Sequence, residues 1–249
     1  MNLIINADDF GLTKGVTLGI LDSMEKGIVT ETTAMVNGNC FDEGIEEAKR
    51  RGIKGIGIHL NLTWGKPVLH LNKVITLIND KGVFKKGYNE LGKYSLNEIE
   101  MELKAQIERF FASGFQPTHI DGHHHFYGLY PQLMKIVIKL SKEYSLPLRF
   151  VNEEYREMYK INNIKTTSGF TSEFYGENVS EERLKGIILK YSSYDTVEIM
   201  VHPGYADEEL NLISSYNSIR KKELDILTSR QMKAFIKEQR IELIGFKNL

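Results

Sequence analysis

The chain has 249 residues, with 32 basic against 33 acidic side chains and a formal net charge of −1. That balance gives no support to a basic nucleic-acid binder or to an acidic disordered arm. A hydrophobic content of 41% allows a substantial core, and α/β barrels often reach this length as a single domain.

Cys40 is the only cysteine, so no internal disulfide can form, in keeping with a reducing compartment. The start, Met1-Asn2-Leu3-Ile4-Ile5-Asn6, lacks the basic and long apolar regions of a secretory signal. No apolar run approaches the roughly 20 residues of a spanning helix. A soluble cytoplasmic protein with no membrane partner is expected.

Leu3 to Asn6 reads as a buried strand leading to Asp8-Asp9-Phe10-Gly11. A helix follows from about Lys14 to Lys26, stopped by Gly27. Thr32 to Val36 is a second strand, Phe41 to Arg51 a helix, and Gly55 to Leu60 a third strand with His59 near its end. Residues 61–94 hold Trp64, Gly65, Pro67, Gly82 and Gly87 and read as an excursion capping the strand ends. Ser95-Leu96-Asn97-Glu98 is a capping box, and Ile99, Leu103, Ile107 and Phe110 then fall on one helical face.

Thr118 to Asp121 is the fourth strand. Pro131 opens a helix reaching about Tyr144. Leu148 to Val151, with Arg149 inside it, is the fifth strand, and Asn152 to Asn178 is irregular. Ser180 caps a helix to about Tyr191, and Val197 to Val201 is the sixth strand. Asp207 to Ser218 reads as a loop, followed by helices at Ile219 to Leu227 and Arg230 to Arg240 and a seventh strand at Ile241 to Ile244. Alternating strands and helices imply a parallel sheet, either closed as a barrel or open and doubly wound. No Gly-x-Gly-x-x-Gly follows the first strand and no Walker A sequence occurs, which weakens dinucleotide and P-loop readings.

His119-Ile120-Asp121-Gly122-His123-His124-His125 gathers four of the chain's seven histidines. In an extended segment His119, Asp121, His123 and His125 share one face and His124 takes the other. Asp8 and Asp9, His59, His123 and His202 all lie at carboxyl ends of predicted strands, the face on which parallel barrels build active sites. One Asp and two His supply three metal ligands and leave positions for water and substrate, the mark of a catalytic site. Adjacent Asp8 and Asp9 offer one ligand and one general base. Pro203 holds His202 extended, Gly204 lets the chain turn at once, and the imidazole so presented suits a general acid. His119 and Asp121 are expected to orient His123, and His70 to be structural or exposed. Trp64, Phe126, Tyr127, Tyr175 and Tyr205 are the aromatic candidates for stacking on a ligand.

Asn6-Ala7-Asp8-Asp9-Phe10-Gly11, Gly57-Ile58-His59-Leu60, the histidine cluster and His202-Pro203-Gly204 together resemble the YdjC-like, or ChbG-type, carbohydrate deacetylases. Phe174-Tyr175-Gly176 is similar to that family as well. The resemblance implies a distorted seven-stranded β/α barrel spanning residues 1–249 and hydrolysis of an N-acetyl group on an amino sugar or chitooligosaccharide. It implies Asp9, His59 and His123 as metal ligands, Asp8 as base, His202 as acid and Arg149 as the residue orienting the base. His125 and Tyr175 join them as substrate-binding or orienting residues. A homodimer and Mg²⁺ are also implied, although two imidazoles and a carboxylate suit zinc, cobalt or manganese better. The competing functions are a metal-dependent phosphoesterase on a similar barrel and a non-catalytic sugar-binding protein.

Overall fold

A computed structural model describes the backbone of residues 1–249 and all side chains but those at positions 88 and 89. The strands are β1 (Asn2–Phe10), β2 (Glu31–Ala34), β3 (Ile56–Leu60), β4 (Ile120–Gly122), β5 (Gly169–Thr171), β6 (Thr196–Val201) and β7 (Glu242–Leu243). Their spatial order is β4-β3-β2-β1-β6-β5, and every pairing is parallel. β7 pairs with the first residues of β1, along the edge that β2 occupies further on.

The helices are α1 (Lys14–Lys26), α2 (Phe41–Arg50), α3 (Leu96–Ala112), α4 (Pro131–Glu143), α5 (Arg156–Ile161), α6 (Glu181–Lys190), α7 (Glu208–Ile213), α8 (Ser218–Thr228) and α9 (Arg230–Glu238). Ile99, Leu103, Ile107 and Phe110 of α3 are fully buried, as their spacing predicts. Ser95 caps that helix by accepting from the Glu98 N–H.

The parallel sheet curls into a half-barrel. Arg149, hydrogen-bonded beside β4, reaches Glu198 of β6 across the interior at 2.7 Å. Only a strongly rolled sheet lets one side chain span those strands. The expected distorted barrel is therefore present, with three local differences.

The first difference concerns Leu148 to Val151, which is no strand. It keeps one bridge, Leu148 to Ile120, because the Arg149 carbonyl that would extend a ladder accepts from Tyr127 and Tyr159 hydroxyls at 3.1 and 2.8 Å. The fifth strand is instead Gly169–Thr171, inside the stretch read as irregular, which also holds α5. The second is α7, in the segment read as a loop. Asp207 caps it, followed by Glu208 and Glu209 in its first turn, a favourable charge order at a helix start. The third is that β1 runs through Asp8 and Asp9 instead of ending before them.

Residues 61–94 are pinned to α3. Glu102 accepts from the Val68 and Leu69 N–H groups at 2.8 and 3.0 Å, and Glu98 accepts from Thr76 N–H at 2.7 Å.

Opposite the histidine-bearing end, buried Glu31 accepts from the Phe246 N–H at 3.1 Å and from Thr118 Oγ1 at 2.6 Å. Burial outweighs both bonds and pushes its carboxyl up to about 7. The folded state thus holds a proton that the unfolded chain releases above the ordinary Glu range. Stability from this group is lost as pH rises from about 4.5 to about 7. Glu31→Gln should therefore gain stability relative to the parent between pH 5 and pH 8, by on the order of 2–3 kcal/mol. Urea unfolding at the two pH values checks this, and a pH-independent difference would refute it.

Candidate active site

The site begins with an irregularity in β1. The register against β2 slips between Ala7 and Phe10, and Asp9 sits at φ 73°, a left-handed value uncommon outside glycine. This slip, not simple strand alternation, sends the two carboxylates apart. Asp8 receives Arg149 through both oxygens, at 2.6 and 2.7 Å, and Asn6 Nδ2 at 2.9 Å. Asp9 receives Arg220 Nη2 on Oδ2 at 2.6 Å and leaves Oδ1 facing two imidazoles.

His59 of β3 lies in register with Asp121 of β4, and its Nδ1 donates to Asp121 Oδ1 at 2.7 Å. Thr33 Oγ1 donates to the other Asp121 oxygen at 2.8 Å. A donor role for Nδ1 leaves Nε2 with its lone pair free to ligate. Asp121 therefore orients His59, not His123 as expected, because the parallel register sets these two residues side by side. His119 lies at the other end of the barrel, its ring stacked on Phe246 at 3.6 Å.

His123 follows β4 in a tight turn in which His124 and His125 have φ of 55° and 50°. The strand has already ended, so alternation no longer decides direction. All three histidines line the same cavity, and His124 Nδ1 lies 3.0 Å from Thr63 Oγ1 at the start of the excursion.

His59 Nε2, His123 Nδ1 and Asp9 Oδ1 form a triangle with sides of 3.1, 3.3 and 3.4 Å. Ligands about 2.1 Å from a shared ion are separated by roughly 3.0–3.4 Å for angles from about 90° to 109°. Asp9 Oδ1 is buried and has no hydrogen-bond partner among the described residues. Around it the buried carboxylates of Asp8, Asp9 and Asp121 face the guanidinium groups of Arg149 and Arg220, a surplus of negative charge. Spacing, an orphaned acceptor and charge all fit a cation, and these three residues could hold one. Burial opposes charge on His59, but the Asp121, Asp9 and Asp8 carboxylates outweigh it and raise the ring to about 10. Proton and metal ion therefore compete for Nε2.

A second cluster, Asp8, His59 and Asp121, also has ligand-like spacing. Arg149 Nη1 already lies 2.9 Å from Asp121 and 2.7 Å from Asp8, so a guanidinium fills that position. It holds Asp8 well below the usual carboxylate range against the opposing effect of burial.

His202 follows β6. Its backbone N–H donates to Glu223 at 2.5 Å, and its Nδ1 is buried without a partner among the described residues. Burial first, and Arg220's charge with it, push the imidazole down to about 4 against the pull of Asp9 and Asp8. The next turn is gripped by close backbone approach: a Cβ on Gly19 of α1 would lie 2.5 Å from the Gly204 Cα. Tyr175 is 46% exposed, stacks on Tyr216 at 4.2 Å and meets His202 edge-on at 5.5 Å. His125 packs edge-on to Phe170 at 5.4 Å, and burial pushes it down to about 3.

The cavity has a volume of about 410 Å³ and is lined by Asp8, Asp9, His59, His123, His202 and Tyr175, among others. Trp64 lines it too. The remaining aromatic candidates do not: Phe126 and Tyr127 are fully buried core, and Tyr205 donates its hydroxyl to Asp22 at 2.8 Å. Arg149 stands behind Asp8. His70 is exposed, at the excursion's first 3-10 turn.

Several residues enter the site that local sequence patterns leave unmarked: Arg220, Glu223 and Tyr216 from α8 and its approach, Thr33 from β2 and Glu198 from β6. Only Glu198 carries a visible sign, a lone charge amid the apolar run Val197-Glu198-Ile199-Met200-Val201. Opposite it on the chain, Arg149 is the other charge set in an apolar run.

A curled parallel α/β sheet with an Asp-His-His cluster at its carboxyl ends is the frame of a barrel-type hydrolase. Residues 2–238 match the family described as YdjC-like protein, and the chain belongs to that family. A Brevibacillus brevis protein named carbohydrate deacetylase is 42% identical, with all of both chains covered. A Clostridium beijerinckii protein of the same name is 39% identical over the full length of both. An Enterococcus faecalis crystal structure, carrying the provisional name of a cellobiose-phosphate cleavage protein, superposes with a TM-score of 0.94 at 34% identity, covering 99% of this chain and 98% of that one. A Thermus thermophilus lactam utilization protein shares the fold alone, with a TM-score of 0.56 at 12% identity and 98% and 100% coverage.

Proposed function

We propose that this enzyme is a carbohydrate deacetylase that removes an N-acetyl group from an acetylated amino sugar or chitooligosaccharide by metal-dependent hydrolysis. The observation that carries this reading is the Asp9-His59-His123 triangle opening onto a cavity flanked by Asp8 and His202. Full-length relatives named carbohydrate deacetylases support the substrate class.

Asp9, His59 and His123 would hold one divalent ion, which supplies an acidified water and a polarised acetyl carbonyl. Two nitrogens and one oxygen favour zinc, cobalt or manganese over magnesium. Asp8, kept ionised and aimed by Arg149, takes the proton of the attacking water. His202 enters as a neutral ring at pH 7, with one N–H and one lone pair. It can pass its proton to the departing amine while accepting, at its other nitrogen, the proton gained by Asp8. Acetate and a free amino sugar leave with Asp8 ionised again and His202 neutral in its other tautomer, which proton exchange with water resets. Tyr175 and Trp64 offer aromatic faces to the sugar, and His125 backs the cavity wall.

Residues 61–94 act in this reading as a cap within a single domain, supported by Trp64 in the cavity and Thr63 beside His124. The expected homodimer and cytoplasmic location belong to the same reading. Among the described residues no helix is long and apolar enough to cross a membrane. The phosphoesterase alternative wants a second cation or more basic side chains, and Arg149 already fills the second acidic cluster.

A panel of N- and O-acetylated mono- and oligosaccharides, assayed for acetate before and after chelation, tests the proposal. Acetate release that disappears on chelation and returns with added metal is expected. Metal-loaded protein that releases no acetate from any of them refutes it.

A further inference from the structure

We infer that Arg220 is a positioning residue that fixes which oxygen of Asp9 is presented to the metal. The inference rests on the metal reading above. Arg220 stands on α8, 211 residues from Asp9, yet donates to Asp9 Oδ2 at 2.6 Å with both side chains buried. Its Nε donates to the Tyr216 carbonyl at 2.9 Å, and its own carbonyl accepts from the Gly204 N–H at 3.2 Å. Nη1 has no partner among the described residues, so no second carboxylate draws the guanidinium away from Asp9.

The consequence is geometric. Asp9 lies at a left-handed φ in a slipped strand, where backbone geometry alone does not anchor its carboxylate. With Oδ2 tied to a guanidinium that is itself tied to Tyr216, Oδ1 is the oxygen left facing His59 and His123. Asp9 then ligates through one oxygen and leaves room at the ion for water and substrate. One turn along the same helix, Glu223 holds the backbone N–H of His202. One element therefore sets a metal ligand and the proton donor together.

Two effects of removing Arg220 oppose each other. A positive charge beside a cation site repels the cation, so a purely electrostatic role predicts tighter metal binding once the charge is gone. A positioning role predicts weaker binding, by about 10–100-fold, as for other residues that orient metal ligands.

Co²⁺ is titrated into metal-free protein, with Kd read by calorimetry and coordination by visible absorption. Arg220→Gln is expected to weaken Co²⁺ binding about 10–100-fold and to change the absorption spectrum. Arg220→Lys keeps a charge against Asp9 and so protects the fold if the Gln variant is unstable. A single ammonium cannot hold Asp9 and the Tyr216 carbonyl with the same fork, so the same changes are expected at smaller size. Folded variants with Kd unchanged or tighter overturn the assignment while leaving the metal reading intact. Wild-type protein that binds no Co²⁺ overturns both.

Discussion

His59→Ala and His123→Ala are each expected to strip the protein of metal and of activity, whereas Asp8→Asn keeps the metal and loses the rate. The split follows from where each side chain ends. His59 Nε2 and His123 Nδ1 are two corners of the triangle, and neither has a substitute within it. Asp8 is tied to Arg149 instead, so removing its charge leaves the triangle intact. Losing a general base should cost on the order of 10²–10⁴ in rate. The fold should survive all three changes. Arg149 still faces Asp121 and Glu198 in Asp8→Asn, and Asp121 still faces Arg149 and Thr33 in His59→Ala. Elemental analysis of the purified variants, alongside acetate release, separates the outcomes. Full occupancy with both histidines removed would falsify the ligand assignment.

Arg149→Met should be the most destabilising single change in the barrel interior. The guanidinium is fully buried and touches Asp8, Asp121 and Glu198 at 2.6–2.9 Å. Met fills much of the volume but supplies no charge, so Asp8 and Asp121 both lose their guanidinium partner beside Glu198. Breaking a buried ionic network by removing one member costs about 3–5 kcal/mol. The pH dependence should change sign. In the parent, Arg149 holds Asp8 low, so that contribution is present above the ordinary Asp range and lost as pH falls through the depressed value. Without Arg149, burial dominates at Asp8 and raises its carboxyl, so stability is lost as pH rises instead. Glu198, already raised by burial to about 8, shows the direction. Urea unfolding at pH 5 and pH 8 should find the larger deficit at pH 8. A deficit below about 1 kcal/mol at both would mean the network contributes little.

Much of the scaffold is legible in the sequence. Helical spacing and caps placed α1, α3, α4, α6 and α9 to within two residues or so, because the buried stripe of a helix is written locally. Carboxyl-end placement brought Asp8, Asp9, His59, His123 and His202 to one cavity, because a parallel sheet puts all such ends on the same side. The failures also have local causes. Gly169–Thr171 and Glu208–Ile213 are too short for periodicity to register, and Leu148 to Val151 looks like a strand because Arg149 is flanked by apolar residues for the sake of its burial.

What the residues decide by themselves is the alternation of strand and helix and the identity of the chemical groups at the strand ends, since both depend on neighbours a few positions away. What only the tertiary structure decides is who holds whom: Asp121 with His59, Arg149 with Asp8, Arg220 with Asp9. Those pairs are set by register, by the roll of the sheet and by a slip in β1. Each joins positions 62 to 211 residues apart, a distance over which no sequence period carries information.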